Sequence, residues 1–190
     1  VEDIGPTLQR ARRRATWIVA VGTVLGGVGG VVLALTSDSG LAGILIVIGI
    51  ACAVGGLAGA VTLALHLTGL LPELSRPLAG LDRATRQAVN RSIRTATPIP
   101  PLDGELALRG AERARALALL LPYQTAQLVL LYVGIGGPQL AQLTSDEPWQ
   151  IWFSRIFVAA VAVTAVAFVA WARRRTAAAR RYLLVVEPAA

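Results

Sequence analysis

The chain has 190 residues, of which 55% are apolar and 15% charged, and its mean hydropathy is +0.62. Those values lie outside the range of soluble globular domains and inside that of integral membrane proteins. The formal net charge of +7 comes from arginine alone, and with asparagine confined to Asn90 and alanine and glycine abundant, the bias resembles that of a GC-rich bacterial genome. The lone cysteine, Cys52, sits in an apolar run, which excludes an internal disulfide, a thiol relay or a thiolate metal cluster built from this chain.

Four apolar segments, roughly 17–36, 41–69, 116–137 and 150–172, are long enough to cross a hydrocarbon core that needs about 20 helical residues. The first is longer than the apolar stretch of a secretory leader and is followed by the turn sequence Ser37-Asp38-Ser39-Gly40, so it reads as a retained helix. So short a link makes the first two spans an antiparallel hairpin. The second span would run ~45 Å from Leu41 to Leu71 at helical rise, so it must tilt or emerge before Pro72 stops it.

The polar stretch from Leu71 to Arg115 follows. Within it, Leu78, Leu81, Ala84, Ala88, Val89 and Ile93 recur at three- and four-residue spacing, with Arg83, Arg86, Gln87, Asn90, Arg91 and Arg94 between them. That spacing predicts an amphipathic basic helix over 77–95, ended by Thr97-Pro98-Ile99-Pro100-Pro101. Asp103 is placed to cap the next helix, which leads through Glu105 and Glu112 into the third span. The linker from Pro138 to Pro148 then closes a second hairpin with the fourth span.

Arginine distribution sets the expected orientation, because cytoplasmic flanks carry the excess of positive charge. Arg10, Arg12, Arg13 and Arg14, the eight of the central loop and the five after residue 172 fall on one side, and only Arg155 falls on the other, beside Asp38, Asp146 and Glu147. Tryptophan favours the membrane boundary, and Trp17 and Trp171 mark the cytoplasmic edge while Trp149 and Trp152 mark the outer one. The expected fold is therefore all-α, a polytopic membrane protein forming a single membrane domain over 1–190. It has four transmembrane helices in two hairpins and a cytoplasmic amphipathic helix between spans 2 and 3. Its expected location is the bacterial inner (cytoplasmic) membrane, with both termini in the cytoplasm.

Three sets of residues stand out. Gly22, Gly26 and Gly30 on the first span, and Ala51, Gly55 and Gly59 on the second, repeat every four residues and let helices approach closely. Depth counting puts Gly22 near Gly55 and Gly26 near Ala51. Tyr123, Gln124, Thr125 and Gln127, just after Pro122, form the densest polar group in any span and read as an interhelical hydrogen-bond clasp or a polar substrate or headgroup pocket. Arg83, Arg86, Arg91 and Arg94 form a basic face suited to anionic lipid headgroups or a cytoplasmic partner.

Two single residues are less informative. The only histidine, His66, lies ~38 Å along the second span, at the cytoplasmic boundary, and has no second histidine or intramembrane carboxylate to complete a relay. Arg155 is one turn inside the outer edge, where it can snorkel outward or pair with Asp146 or Glu147.

No phosphate-cradling, zinc-protease or serine-hydrolase motif occurs, and the four span interiors hold no acid. The expectation is a non-catalytic membrane subunit or scaffold of a bacterial inner-membrane complex, with no cofactor and no metal. It contacts other membrane subunits, or a second copy of itself, through small-residue helix faces and the basic helix. Nucleic acid is not expected, since the arginines have no interleaved aromatics. The alternative is a small transporter or channel with a polar site around Gln124 and Gln127. An intramembrane lipid-modifying enzyme would have to draw on Glu73, Asp82, Asp103, Glu105 and Glu112, whose spacing matches no acid–base or metal pattern.

Overall fold

A computed structural model describes residues 4–36, 40–69, 76–101 and 104–186, excepting the side chains of 4–8, 11 and 12. Five α-helices account for most of them: α1 Ile4–Leu35, α2 Gly40–Thr68, α3 Arg83–Thr95, α4 Glu105–Ala141 and α5 Pro148–Val186. Four of these, all but α3, are long and apolar enough to cross a membrane. Between 6% and 28% of each apolar window is buried, so most of this apolar surface faces outward, as lipid-facing surface does. The link around Asp38, and Glu73 and Asp103, lie outside the described residues.

The described residues fall into two compact units. The larger comprises Ile4–His66 and Ala126–Phe168, and therefore α1, nearly all of α2, the second part of α4 and the first part of α5. Glycine sets its packing, because without Cβ atoms the helix backbones themselves can touch. A Cβ on Gly22 would lie 3.1 Å from Gly55 Cα, one on Gly26 2.9 Å from Ala51 Cα, and one on Gly30 2.6 Å from Val47 Cα. As residue numbers rise on α1 they fall on α2, an antiparallel register.

A second seam joins α2 to α4. A Cβ on Gly56 would meet both Gly134 N and Leu130 O at 2.6 Å, and one on Gly49 would meet Gly137 O at 2.6 Å. Gly49 and Gly56 are seven residues apart on α2, and Gly134 and Gly137 three apart on α4. The helix α2 is thus held on two faces about 130° apart around its axis, one toward α1 and one toward α4.

At the start of α5, Pro148 occupies the first helical position, where its missing N–H costs nothing. Ser145 Oγ accepts from Glu147 N at 3.2 Å and donates to Gln150 Oε1 at 2.8 Å, while Gln150 Nε2 donates to Glu147 Oε2 at 2.7 Å. This closed polar ring satisfies one backbone N–H, that of Glu147, at the helix start.

The other unit contains α3, residues 105–125 of α4 and residues 169–186 of α5. Its core is Leu78, Val89, Ile93, Ala111, Ala114, Ala179, Tyr182 and Val186, with Leu81, Ile99, Leu106 and Leu183 packed around it. The basic helix expected over 77–95 is shorter than its apolar pattern. A 3-10 turn, Arg76–Leu78, comes first, Gly80 then takes φ +77°, and the α-helix begins only at Arg83. The reason is local: Gly80 tolerates the left-handed backbone, and Asp82 Oδ2 accepts from Ala84 N at 3.1 Å and Thr85 N at 3.4 Å. These bonds, chiefly those to Thr85, hold the Asp82 carboxyl below its ordinary value. The helix ends at Ala96, φ 54°, with Thr97 N returning to Ser92 O at 3.0 Å.

Candidate functional site

Helix α3 has two contrasting faces. Val89 is fully buried and Ile93 is 3% exposed, so the apolar stripe is spent on the chain's own core rather than left open to lipid. Burying two such side chains stabilises the docked helix by about 3–6 kcal/mol before ordering costs. Ala84 and Ala88, which the apolar spacing assigned to that stripe, instead face outward. With Gln87, Arg91, Ser92, Thr95 and Thr97 they line a trough along the outer side of the helix.

Arg83, Arg86, Arg91 and Arg94 are all exposed. One of them is partly committed, since Arg86 donates to Leu81 O at 2.7 Å and so secures the turn before the helix. Arg91 lines the trough itself. At 100° per residue, Arg83 and Arg94 fall on one flank of it. The outward side of α3 is therefore small-residued, polar and positive, a surface that receives an acidic segment better than an apolar one.

Two of the acids considered for catalysis have structural tasks. Asp82 caps α3, and Glu105 pairs with Arg109 at 2.6 Å. The same Arg109 also donates to Ala79 O at 3.1 Å, tying the turn before α3 to α4. No group of three or more His, Cys, Asp or Glu suited to a metal occurs among the described residues.

The small-residue sets face their own chain. Gly22, Gly26 and Gly30 meet α2, while Gly55 and Gly59 meet Thr23 and Val19 of α1, and Gly59 also meets Leu130 of α4. Ala51 is the residue opposite Gly26. In the polar group of α4, Tyr123, Gln124, Thr125 and Gln127 are each half-buried. Thr125 donates to Leu121 O of its own helix at 2.7 Å, and no interhelical hydrogen bond from the four occurs among the described residues.

An interhelical polar clasp exists elsewhere. Ser154 on α5 is fully buried, and its hydroxyl lies 3.2 Å from Gln139 Oε1 and 3.1 Å from Gln142 Oε1. A hydroxyl has one proton, so it donates to one carbonyl or is shared between both. Its signal in the sequence was a serine one helical turn inside an apolar span, opposite two glutamines at i, i+3.

His66, half-buried, donates from Nδ1 to Thr62 O of its own helix at 2.7 Å. Arg155 is exposed and forms no ion pair among the described residues, while Glu147 is engaged by Gln150.

The smaller unit buries a phenol among its apolar side chains. Tyr182 is fully buried, and its hydroxyl sits 2.5 Å from where a Cβ on Gly110 would be. The nearby Ser92 donates to Val89 O at 2.8 Å, and among the described residues no hydrogen bond of adequate geometry reaches Tyr182 Oη. Burial pushes this phenol above its ordinary value of 10.0, with Ser92 opposing. Ionisation is thus harder in the folded state, so the neutral phenol adds nothing through linkage at pH 7, and stability falls as pH climbs from the unfolded phenol value toward the folded one. Tyr182→Phe should therefore match or exceed the parent in stability at pH 7, by up to about 1–2 kcal/mol, because an unmade buried hydrogen bond is removed. It should also weaken the alkaline loss of stability above about pH 10. Thermal unfolding of both proteins across pH measures this; a clear loss at pH 7 would show that the hydroxyl has a partner.

Comparison with protein-family models, with curated proteins and with solved structures finds no match to this chain. The functional reading therefore rests on the residues themselves.

Proposed function

We propose that this protein is a non-catalytic membrane subunit or scaffold of a bacterial inner-membrane complex, whose partner-binding surface is the outward face of α3. It crosses the bilayer four times as two hairpins, with both termini and the 71–115 loop in the cytoplasm. Support for the topology comes from the one-sided arginines, the antiparallel register of α1 with α2, and the contacts of Gln139 and Gln142 with Ser154.

One observation carries the functional reading. The apolar stripe of α3 is consumed by the chain's own core, while a small-residue trough flanked by arginines faces outward and is left open by the described residues. The glycine seams, by contrast, are closed by α1, α2 and α4 themselves. Contact with other subunits thus falls to α3 and to the apolar outer faces of the spans. The partner surface at α3 is acidic, since exposed arginines need a complementary charge to give specificity.

Purification in mild detergent tests this. The intact chain should bring down a second polypeptide in fixed stoichiometry. The combined variant Arg83→Glu, Arg91→Glu and Arg94→Glu should lose it by tenfold or more, because like charges across an interface cost several kcal/mol. Retention of the second chain by that variant would move the binding surface elsewhere.

A further inference from the structure

The outer side of α1 changes character along its length. Val21, Val24, Leu25, Val28, Val31, Val32 and Leu35 are between 47% and 82% exposed. At 100° per residue they lie on one side of the helix, roughly opposite Gly22, Gly26 and Gly30, which face α2. Continued toward the N-terminus, the same side reaches Trp17, 65% exposed, and then Arg13, Arg14 and Arg10. Together with Ile18 these four line a depression on the helix surface. All three arginines are exposed, and among the described residues none forms an ion pair with a carboxylate of this chain.

One continuous surface therefore offers three guanidinium groups within about one and a half helical turns, then an indole ring, then roughly 20 Å of apolar side chains. That is the polarity profile of an anionic phospholipid: phosphate oxygens at one end, a glycerol backbone at the depth where an indole prefers to sit, and acyl chains beyond. Arginine's planar fork suits phosphate oxygens and binds them through two parallel N–H donors. A zwitterionic headgroup fits less well, since its ammonium would stand among the three arginines.

We propose that Arg10, Arg13, Arg14 and Trp17 form a binding site for an anionic phospholipid of the cytoplasmic leaflet, with the lipid's acyl chains lying along the Val21–Val28 side of α1. The site rests on the reading of α1 as a membrane span and is independent of the α3 surface.

The test uses the full chain with Trp149, Trp152 and Trp171 replaced by phenylalanine, so that Trp17 is the sole indole, reconstituted in phosphatidylcholine vesicles. Phosphatidylglycerol or phosphatidylcholine with acyl chains brominated near the headgroup is then titrated in, and quenching reports lipid in contact with the ring. Brominated phosphatidylglycerol should be preferred by roughly fivefold or more, given about a tenfold gain per 1.4 kcal/mol and about 1 kcal/mol for each basic residue near an anionic surface. The preference should fall to near unity in the Arg10→Gln, Arg13→Gln, Arg14→Gln variant. These residues are exposed, so folding survives the change. A second single-tryptophan chain retaining Trp152 should show no preference in either background. Equal quenching of Trp17 by both lipids would overturn the site. Quenching of Trp152 with none of Trp17 would leave the spanning reading intact while showing that protein, and not lipid, covers this side of α1.

Discussion

Gly56→Ala should destabilise the folded protein by about 1–3 kcal/mol, whereas Gly27→Ala should leave it unchanged or stabilise it by up to about 1 kcal/mol. The two positions differ in what a single methyl group meets. On Gly56 it would lie 2.6 Å from Gly134 N and from Leu130 O, both backbone atoms that no rotamer change can move aside. Relief requires α2 and α4 to separate, which gives up the packing that holds membrane helices together where no hydrophobic driving force does so. On Gly27 the methyl meets nothing within 4 Å, and alanine only restricts the unfolded chain. Gly137→Ala belongs with Gly56, since its methyl would collide with Gly49 O and lie 3.0 Å from Ala53 N. Thermal unfolding in a single detergent ranks the variants; equal loss at Gly27 and Gly56 would mean that the α2–α4 seam does not bear on stability.

Val89→Asp should release α3 from its unit without disturbing the spans. Val89 has no exposed surface, and a carboxylate placed there has no cation among its core neighbours Leu78, Ile93, Ala111, Ala114 and Tyr182. An uncompensated buried charge costs about 3–5 kcal/mol, enough to open the helix a hundredfold or more often. The consequence is readable with trypsin, because Arg83, Arg86, Arg91 and Arg94 become cleavable once the helix unwinds. Ala88→Asp, one residue away but exposed in the trough, should alter the cleavage rate by less than about threefold. Similar rates for the two variants would contradict the docking of α3 through its apolar stripe.

Much of the architecture was legible because the bilayer imposes a coarse code. Span length and apolar composition alone pick out α1, α2, α4 and α5 as helices able to cross a membrane. The sequence also marked Gly22, Gly26 and Gly30, since an i, i+4 glycine row has few uses besides close helix contact. It did not mark the α2–α4 seam, where Gly49 and Gly56 repeat every seven residues and Gly134 and Gly137 every three. Those spacings blend into a composition already rich in glycine.

The candidate surface was half legible. Arg83, Arg91 and Arg94 were recognisable as a basic face, but whether the apolar stripe beside them stayed open depended on Ala111, Ala114, Ala179 and Tyr182, far away in the chain. Periodicity reports that a face is apolar and says nothing of what covers it. The start of α3 was misplaced for a related reason: the apolar spacing ran on through Leu78 and Leu81, and only Gly80 with its left-handed backbone and the cap at Asp82 break it. In the span of α4, Gln124 and Gln127 drew attention by amide content, while the realised clasp used a single hydroxyl, Ser154, that stands out only when its two partners are seen with it.

The central claim, that this chain serves as a subunit bound through α3, is tested most directly by weighing the native assembly. Released from the membrane in a mild detergent and measured by native mass spectrometry, it should carry a second polypeptide in whole-number ratio. That chain should be missing when Arg83, Arg91 and Arg94 are changed to glutamate. A monodisperse particle made only of this 19.9 kDa chain, the same with and without those arginines, would contradict it.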